Sequence, residues 1–478
     1  MERHGLLDSA TDSRALTLQA RLVKDRAKRA IAAERAQLFG ASAGLYERAG
    51  ELENSSYPLI NAASLSLFAG KKVKSQKLAR QVLDLIENNP EEGETPYWRE
   101  ATRAEAMLLL GHETQARAAL RHAITKQPTA WEDHAATIAQ MALILDERGG
   151  EGRWLDQHRP AASVHFSGIA ALSDKYGTVR AAIEQFIDQQ QPGFAFGALA
   201  AGADLLFAQA FLQHRDTVNS CAELHVVLPF PVDEFRDLSV RGFEDHWVPL
   251  YDRVLEQAAT VTTLNLDDPP PTLAVEIADR MAMGQTIRNA QNLESRALAV
   301  TVAANASTAG GGLRPQLVSW QRTGRPLTVI PGERANIGAG RFASKETVQK
   351  LQTLVWIGNG DETALQQLVA GRAHLELAGS SCWAVIDDQA DAYLLASKIA
   401  RSDRRLRVSM LHAILDSERP CEHVLNRAQV LASVAPTSAI STDHCSAMAL
   451  VFAGAGLAIE EIGELRTAWG SETVWSVR

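Results

Sequence analysis

The sequence predicts a chain of several domains: helical repeats, then an α/β domain on a parallel sheet, then an α+β domain. With 478 residues, the chain is too long for one ordinary core. Its first third has the composition of helices, its middle alternates short apolar runs with amphipathic helices, and its last part mixes both patterns. The predicted domains are residues 1–155, 160–335 and 345–478.

The composition restricts the class of protein. An apolar content of 46% and a charged content of 22% are typical of a globular chain. The net charge of −9 argues against a general nucleic-acid binder. No apolar run approaches the ~20 residues of a membrane span, no signal peptide is evident, and the four scattered cysteines form no disulfide framework. We therefore expect a cytoplasmic protein that binds neither nucleic acid nor a membrane.

The region 14–153 is predicted to be helical, because alanine, leucine, arginine and glutamate dominate it. Two segments, 60–83 and 101–120, repeat one pattern: an apolar helix, a glycine, a polar turn and a second small-residue helix. Gly70 and Gly111 are expected to end the first helix of each pair in the left-handed conformation. The spacing is near the ~34 residues of tetratricopeptide repeats and predicts an arm that binds a partner protein. A plain helical bundle is the alternative.

From about Ala161 to Pro331, short apolar strands alternate with helices. This alternation predicts a Rossmann-like parallel sheet that is covered on both faces. The predicted strands are Ser163–Gly168, Gly193–Gly197, Glu223–Leu228, Val261–Leu264, Ala297–Val302 and Leu327–Ile330.

A ligand site is expected beyond the carboxyl ends of these strands, where open parallel sheets bind their ligands. Glycines let backbone N–H groups approach an anion, and a following helix N-terminus adds its dipole. The alternative is that the glycines form tight turns, that Asp204 caps its helix and that Arg314 is solvated. His165, on an apolar strand, is interpreted as a core histidine. The predicted nucleotide-phosphate site consists of Ser167, Gly168, Gly202, Asp204, Gly310, Gly311, Gly312 and Arg314.

Segments 194–208 and 223–231, with Met283-Gly284, Trp320 and 324–331, resemble bacterial proteins that join a tetratricopeptide-like arm to a Rossmann-like domain of the SMF/DprA–LOG (SLOG) kind. The arm is also similar to the TRAFs-binding region of stress-activated kinase kinase kinases. The resemblance implies binding of a nucleotide or a nucleotide-derived signal. Enzymatic SLOG members carry Gly-Gly-x-Gly-Thr and a nearby glutamate, whereas this loop continues from its three glycines into Leu313-Arg314-Pro315. We therefore expect phosphate binding without phosphoribohydrolase chemistry.

The last part predicts an α+β domain with a mostly antiparallel sheet. Its predicted strands are Leu354–Ile357, Cys382–Ile386 and Leu406–Leu411, and its predicted helices are Asp391–Ile399 and Glu422–Ser433.

This region resembles a class III nucleotide cyclase domain, which has a ferredoxin-like fold. The family holds two metal ions between aspartates and carries Asn-x-x-x-Arg on a later helix. The positions of its two aspartates are occupied here by Gly358 and Ser380. In the helix motif the asparagine is kept as Asn426, and the arginine position is occupied by Val430. We expect a catalytically inactive relative that acts as a dimerisation or regulatory module. Asp361, which lies in a turn, is the alternative to the first aspartate if the register slips. Arg427 neighbours the lost arginine, but helix geometry, at about 100° per residue, turns it to another face.

The functional expectation is a nucleotide-sensing signalling or regulatory protein that relays through its helical arm. We predict no catalytic residue, no cofactor beyond the nucleotide ligand, and a homodimer through the C-terminal domain. No metal site is predicted, because Cys421-Glu422-His423 and His444-Cys445 lack the spacing of zinc ligands. Two alternatives stay open: an enzyme, either a cyclase with displaced residues or a nucleotide N-glycoside hydrolase, and a non-catalytic interaction scaffold.

Overall fold

The computed structural model forms two compact units, Met1–Pro160 with Asn292–Ser295, and Ala161–Gln291 with Arg296–Arg478. Much of the predicted border between the second and third domains falls outside the residues that the structure describes. Those residues are 12–173, 176–218, 220–264, 266, 269–304, 313–335, 349–360, 375–378, 381–416, 420–454 and 457–478.

The first unit is helical over its described residues, as predicted, and ends in a short 3-10 helix, Arg153–His158. The Gly111 prediction is confirmed: its φ of 91° is left-handed, and the N–H of His112 donates to the Met107 carbonyl at 2.9 Å. Gly70 ends its helix with a φ of 73°. The helices are α1 (Ser13–Arg29), α2 (Ala32–Glu53), α3 (Ser56–Phe68), α4 (Lys72–Asn88), α5 (Pro96–Leu110), α6 (Glu113–Lys126) and α7 (Trp131–Glu147).

The second unit begins with a sheet in which every described strand pair is parallel, as predicted. The strands are short apolar runs because helices cover both faces of such a sheet. The strands are β1 (Ser163–Ser167), β2 (Phe194–Gly197), β3 (Glu223–Leu228), β4 (Thr260–Thr263), β5 (Ala297–Ala303) and β6 (Leu327–Pro331).

The spatial order of this sheet is β4-β3-β2-β1-β5-β6, so the direction of winding reverses between β1 and β5. A crevice forms at such a reversal, beyond the carboxyl ends of the strands. The associated helices are α8 (Gly177–Gln190), α9 (Ala203–Thr217), α10 (Val232–Phe235), α11 (Val248–Glu256), α12 (Pro271–Asn292) and α13 (Pro315–Arg322).

The segment between β3 and α11 is helical although the sequence prediction assigned it no element. After α10 the chain forms one π-helical stretch, Arg236–Arg241. The Ser239 carbonyl in this stretch accepts a hydrogen bond from the N–H of Ala201 at 2.9 Å, which ties the segment to the loop after β2. The segment therefore covers the crevice from one side.

A second sheet follows in the same unit, with the order β12-β13-β11-β10-β7-β9-β8 among its described strands. Its strand pairs are antiparallel except β10 with β11, so the predicted mostly antiparallel sheet is confirmed. The strands are β7 (Gln349–Gly358), β8 (Leu375–Ala378), β9 (Ser381–Ile386), β10 (Arg407–Asp416), β11 (Ile440–Asp443), β12 (Ile459–Thr467) and β13 (Gly470–Val477). The helices are α14 (Gln389–Ser402), α15 (Glu422–Ser433) and α16 (His444–Phe452).

Candidate functional site

A cavity of about 500 Å³ lies at the carboxyl ends of the first three strands of the parallel sheet. Residues that follow β1, β2 and β3 line it, together with one side of α12 and the start of α13. This is the place where the topology predicts a ligand crevice. Four predicted site residues meet there: Ser167, Gly168, Asp204 and Arg314.

Of the other predicted site residues, Gly202 does not line the cavity. Gly310, Gly311 and Gly312 fall outside the described residues. Gly202 precedes α9 with a φ of 101°, which only glycine adopts readily, and a Cβ there would stand 2.8 Å from the Ile169 carbonyl oxygen. The N–H of the next residue, Ala203, donates to that same carbonyl at 3.1 Å. In the structure, Gly202 thus joins the loops after β1 and β2 by close backbone contact.

Asp204 is the most unusual group of the cavity. It is 7% exposed, and its Oδ2 accepts a hydrogen bond from the N–H of Ala200 at 3.3 Å. Its Oδ1 makes no hydrogen bond of good geometry to a described residue, although the backbone N–H of Gly168 also favours the charged form of this carboxyl. Burial raises the pKa of this carboxyl to about 7, although Arg314 partly opposes the rise.

Arg314 makes an ion pair with Asp279, a residue of α12 that is 7% exposed. Burial raises the pKa of Asp279, and the positive charge of Arg314 opposes that rise. The sequence prediction missed Asp279. Its signal was a charged residue among the apolar positions Ala278, Met281 and Ala282 of a helix, because a buried carboxylate needs a partner.

Apolar residues form another part of the cavity wall. Phe235 and Phe243 line it from the helical segment after β3, with Pro229, Pro271 and Val275 beside them. The predicted site included none of these residues, and the segment that carries the two phenylalanines had been assigned no element. Apolar and aromatic walls with a few polar groups are typical of small-molecule sites.

Two further polar residues of the cavity were missed by the sequence prediction. Gln316, the second residue of α13, is 5% exposed, and its Oε1 has no hydrogen-bond partner within the described part of the chain. Arg334 follows β6, is exposed and lines the cavity. It forms a β-bridge with Leu172 in the loop after β1, so its backbone is fixed at the cavity rim. No ion pair joins it to another described residue.

His165 lies in β1 and is fully buried, as expected for a core histidine. Burial lowers its pKa to about 3, and the nearby charge of Arg314 acts in the same direction. The imidazole is therefore neutral at physiological pH.

The cyclase-like positions lie on the second sheet. Gly358 ends β7, opposite Arg407 and Ser381, while Ser380 and Asp361 fall outside the described residues. Asn426 and Val430 lie on α15.

On the same helix, the Arg427 guanidinium contacts two buried carboxylates, Asp443 at 2.8 Å and Glu472. Burial alone would lower the pKa of Arg427, but the two carboxylates outweigh it and raise that pKa. Asp443 also caps α16 by accepting from the N–H of Ser446 at 2.7 Å. Arg427 is therefore held inside the domain by these pairs.

No group of three or more metal-ligating side chains occurs within the described ranges. Nor is any helix in those ranges long and apolar enough to cross a membrane.

Residues 7–159 match the family model of the MAP3K TRAFs-binding domain. This match covers roughly a third of the chain and confirms the predicted resemblance of the helical region. The resemblance of the middle region to SLOG domains stays a prediction. No curated protein matches the sequence.

Two solved structures show a faint likeness. An adenylate/guanylate cyclase/hydrolase from Silicibacter pomeroyi is 12% identical, with a TM-score of 0.23 over 27% of this chain and 96% of that one. A mutant O-GlcNAc transferase from Thermobaculum terrenum is 14% identical, with a TM-score of 0.20 over 62% of this chain and 47% of that one. At these scores neither likeness carries an argument about this chain.

Proposed function

We propose that this chain is a signalling or regulatory protein that binds a nucleotide or a nucleotide-derived ligand in the cavity of its parallel sheet. The observation that carries this proposal is the cavity itself, whose lining includes Asp204 and Gln316, each with a buried polar atom that has no hydrogen-bond partner within the described residues. A buried polar atom that has lost its hydrogen bonds to water and gained no partner costs on the order of 1–3 kcal/mol of stability. A ligand that satisfies such atoms recovers part of that cost.

The size and the lining of the cavity support a nucleotide. A volume of about 500 Å³ accommodates a ligand of that size, and the wall of Phe235 and Phe243 suits a planar base. The charged and polar groups of the same lining suit a sugar and a phosphate.

In this proposal the helical unit passes the signal on to another protein. Its match to a domain named for binding TRAFs supports a role in protein recognition. We propose that the unit binds a partner protein. The name of the family model does not identify that partner.

Isothermal titration of the full chain with mono-, di- and cyclic nucleotides tests the ligand proposal. Val275→Trp fills the cavity from α12, so binding should be lost in this variant. Val73→Trp, at an 83% exposed position of the helical unit, is the matched control and should bind as the parent does. Equal binding by the parent and by Val275→Trp would contradict the proposal.

A further inference from the structure

Charge is distributed unevenly between the buried side and the rim of the cavity. The buried side carries Asp204 and the Asp279–Arg314 ion pair. The rim carries Arg334, an exposed cation that pairs with no carboxylate within the described residues. The remaining acid of the lining, Glu276, is paired with Arg280 of the same helix at 2.7 Å.

A phosphate does not fit the buried side. The guanidinium of Arg314 is already paired with Asp279. An added phosphate would therefore lie near the carboxyl groups of Asp204 and Asp279, with the charge of Arg314 already neutralised. Like charges at short range in a poorly solvated site repel strongly.

Two buried acceptor atoms of the lining instead lack a donor within the described residues. Asp204 Oδ1 and Gln316 Oε1 are acceptor atoms without a partner in the described structure. Groups that complement them must donate a hydrogen bond and carry no negative charge, and sugar hydroxyls meet both conditions. The rim instead offers the guanidinium of Arg334, and a guanidinium binds phosphate strongly and bidentately.

We propose that the cavity binds a nucleoside monophosphate with its sugar hydroxyls at Asp204 and Gln316 and its phosphate at Arg334. This inference rests on the proposed function and reverses the orientation that the glycine loops predicted, in which Arg314 and Asp204 face the phosphate. The base then lies against Phe235 and Phe243.

Calorimetric titration of the full chain with AMP, GMP, CMP and UMP, and with the four matching nucleosides, tests this orientation. For the base that binds best, the monophosphate should bind at least about tenfold more tightly than the nucleoside. Arg334→Ala should remove this difference and leave the nucleoside affinity unchanged. Arg322→Ala, an exposed arginine of α13 that does not line the cavity, should change neither affinity.

A second variant tests the hydroxyl side. Gln316→Leu should weaken the nucleotide and its nucleoside about equally, by several-fold, but should not weaken the 2′,3′-dideoxy nucleotide. An unchanged phosphate preference in Arg334→Ala would overturn the inference and leave the proposed function intact. If no nucleotide or nucleoside binds at all, both fail.

Discussion

At the scale of single residues, the buried carboxyl of Asp204 makes the stability of the second unit depend on pH. The pKa of this carboxyl is about 7 in the folded chain, against an ordinary value of 3.8. Between these values the folded chain keeps a proton that the unfolded chain releases, so the free energy of unfolding falls as the pH rises.

Asp204→Asn should remove this pH dependence. At pH 8 the variant should be more stable than the parent by on the order of 1–3 kcal/mol, and the gap should close toward pH 4. Urea unfolding of both proteins at several pH values measures this difference in the free energy of unfolding. Asp245→Asn, at a side chain that is 87% exposed, is the control and should show no such trend. A gap that stays constant with pH would contradict the assignment of Asp204.

The ion pair of Arg314 leads to a second expectation. Arg314→Ala leaves the Asp279 carboxylate buried without its partner, so the second unit should lose about 1–3 kcal/mol of stability. Adding Asp279→Asn should restore most of that loss, because the uncompensated charge is then gone. A double-mutant cycle measures the coupling, and additive effects of the two substitutions would show that the pair is not coupled.

The residues of the cavity also show what a sequence can reveal. Ser167, Gly168 and Asp204 were predictable, because they lie at the end of β1 or in the segment that follows β2, and the strand ends of a parallel sheet meet at one edge. Asp279, Gln316 and Arg334 come from helices and from a loop far along the chain. Only the fold brings them to the same edge, so no local pattern identified them.

At the scale of elements, α12 connects the cavity with the second sheet. Val275 and Asp279 of this helix line the cavity. Further along, Gln285 Nε2 lies 3.0 Å from His444 Nε2, and Arg288 donates to the Ile459 carbonyl at 3.0 Å and lies over the Trp475 ring. A shift of α12 on ligand binding would therefore reach the C-terminal domain.

Gly284 permits the close approach of α12 to α16. A Cβ at this position would overlap the Met448 carbonyl oxygen, which cannot move without its helix. We expect Gly284→Ala to cost about 1–3 kcal/mol and to lower the hydrogen-exchange protection of α16. Gly177→Ala, at the first residue of α8 where a Cβ meets nothing within 4 Å, is the control and should be neutral or slightly stabilising. Full protection of α16 in Gly284→Ala would rule out the tight contact.

The elements themselves were largely predictable. Short apolar runs such as Glu223–Leu228 and periodic segments such as Glu422–Ser433 have the bounds that the sequence indicated. The stretch Val232–Arg241 was missed because it combines a single helical turn with π-helical geometry, for which the sequence shows no period of 3.6 residues.

At the scale of the whole molecule, the helical unit and the sheet unit have separate hydrophobic cores. Leu59 is fully buried in the first core, so Leu59→Ala should destabilise the helical unit by about 2–5 kcal/mol. Hydrogen exchange of the full chain should show lower protection in α3 and α4 and unchanged protection in α9. Leu52→Ala, at a 61% exposed position, is the control. Equal loss of protection in α9 would show that the units unfold together.

The central claim is that the cavity at the carboxyl ends of β1, β2 and β3 binds a nucleotide, and a crystal structure of the full chain grown with a nucleoside monophosphate tests it most directly. The account predicts ligand density between Phe235 and Asp204, with the phosphate beside Arg334. Density at another place on the chain, with a cavity closed by its own side chains, would contradict it.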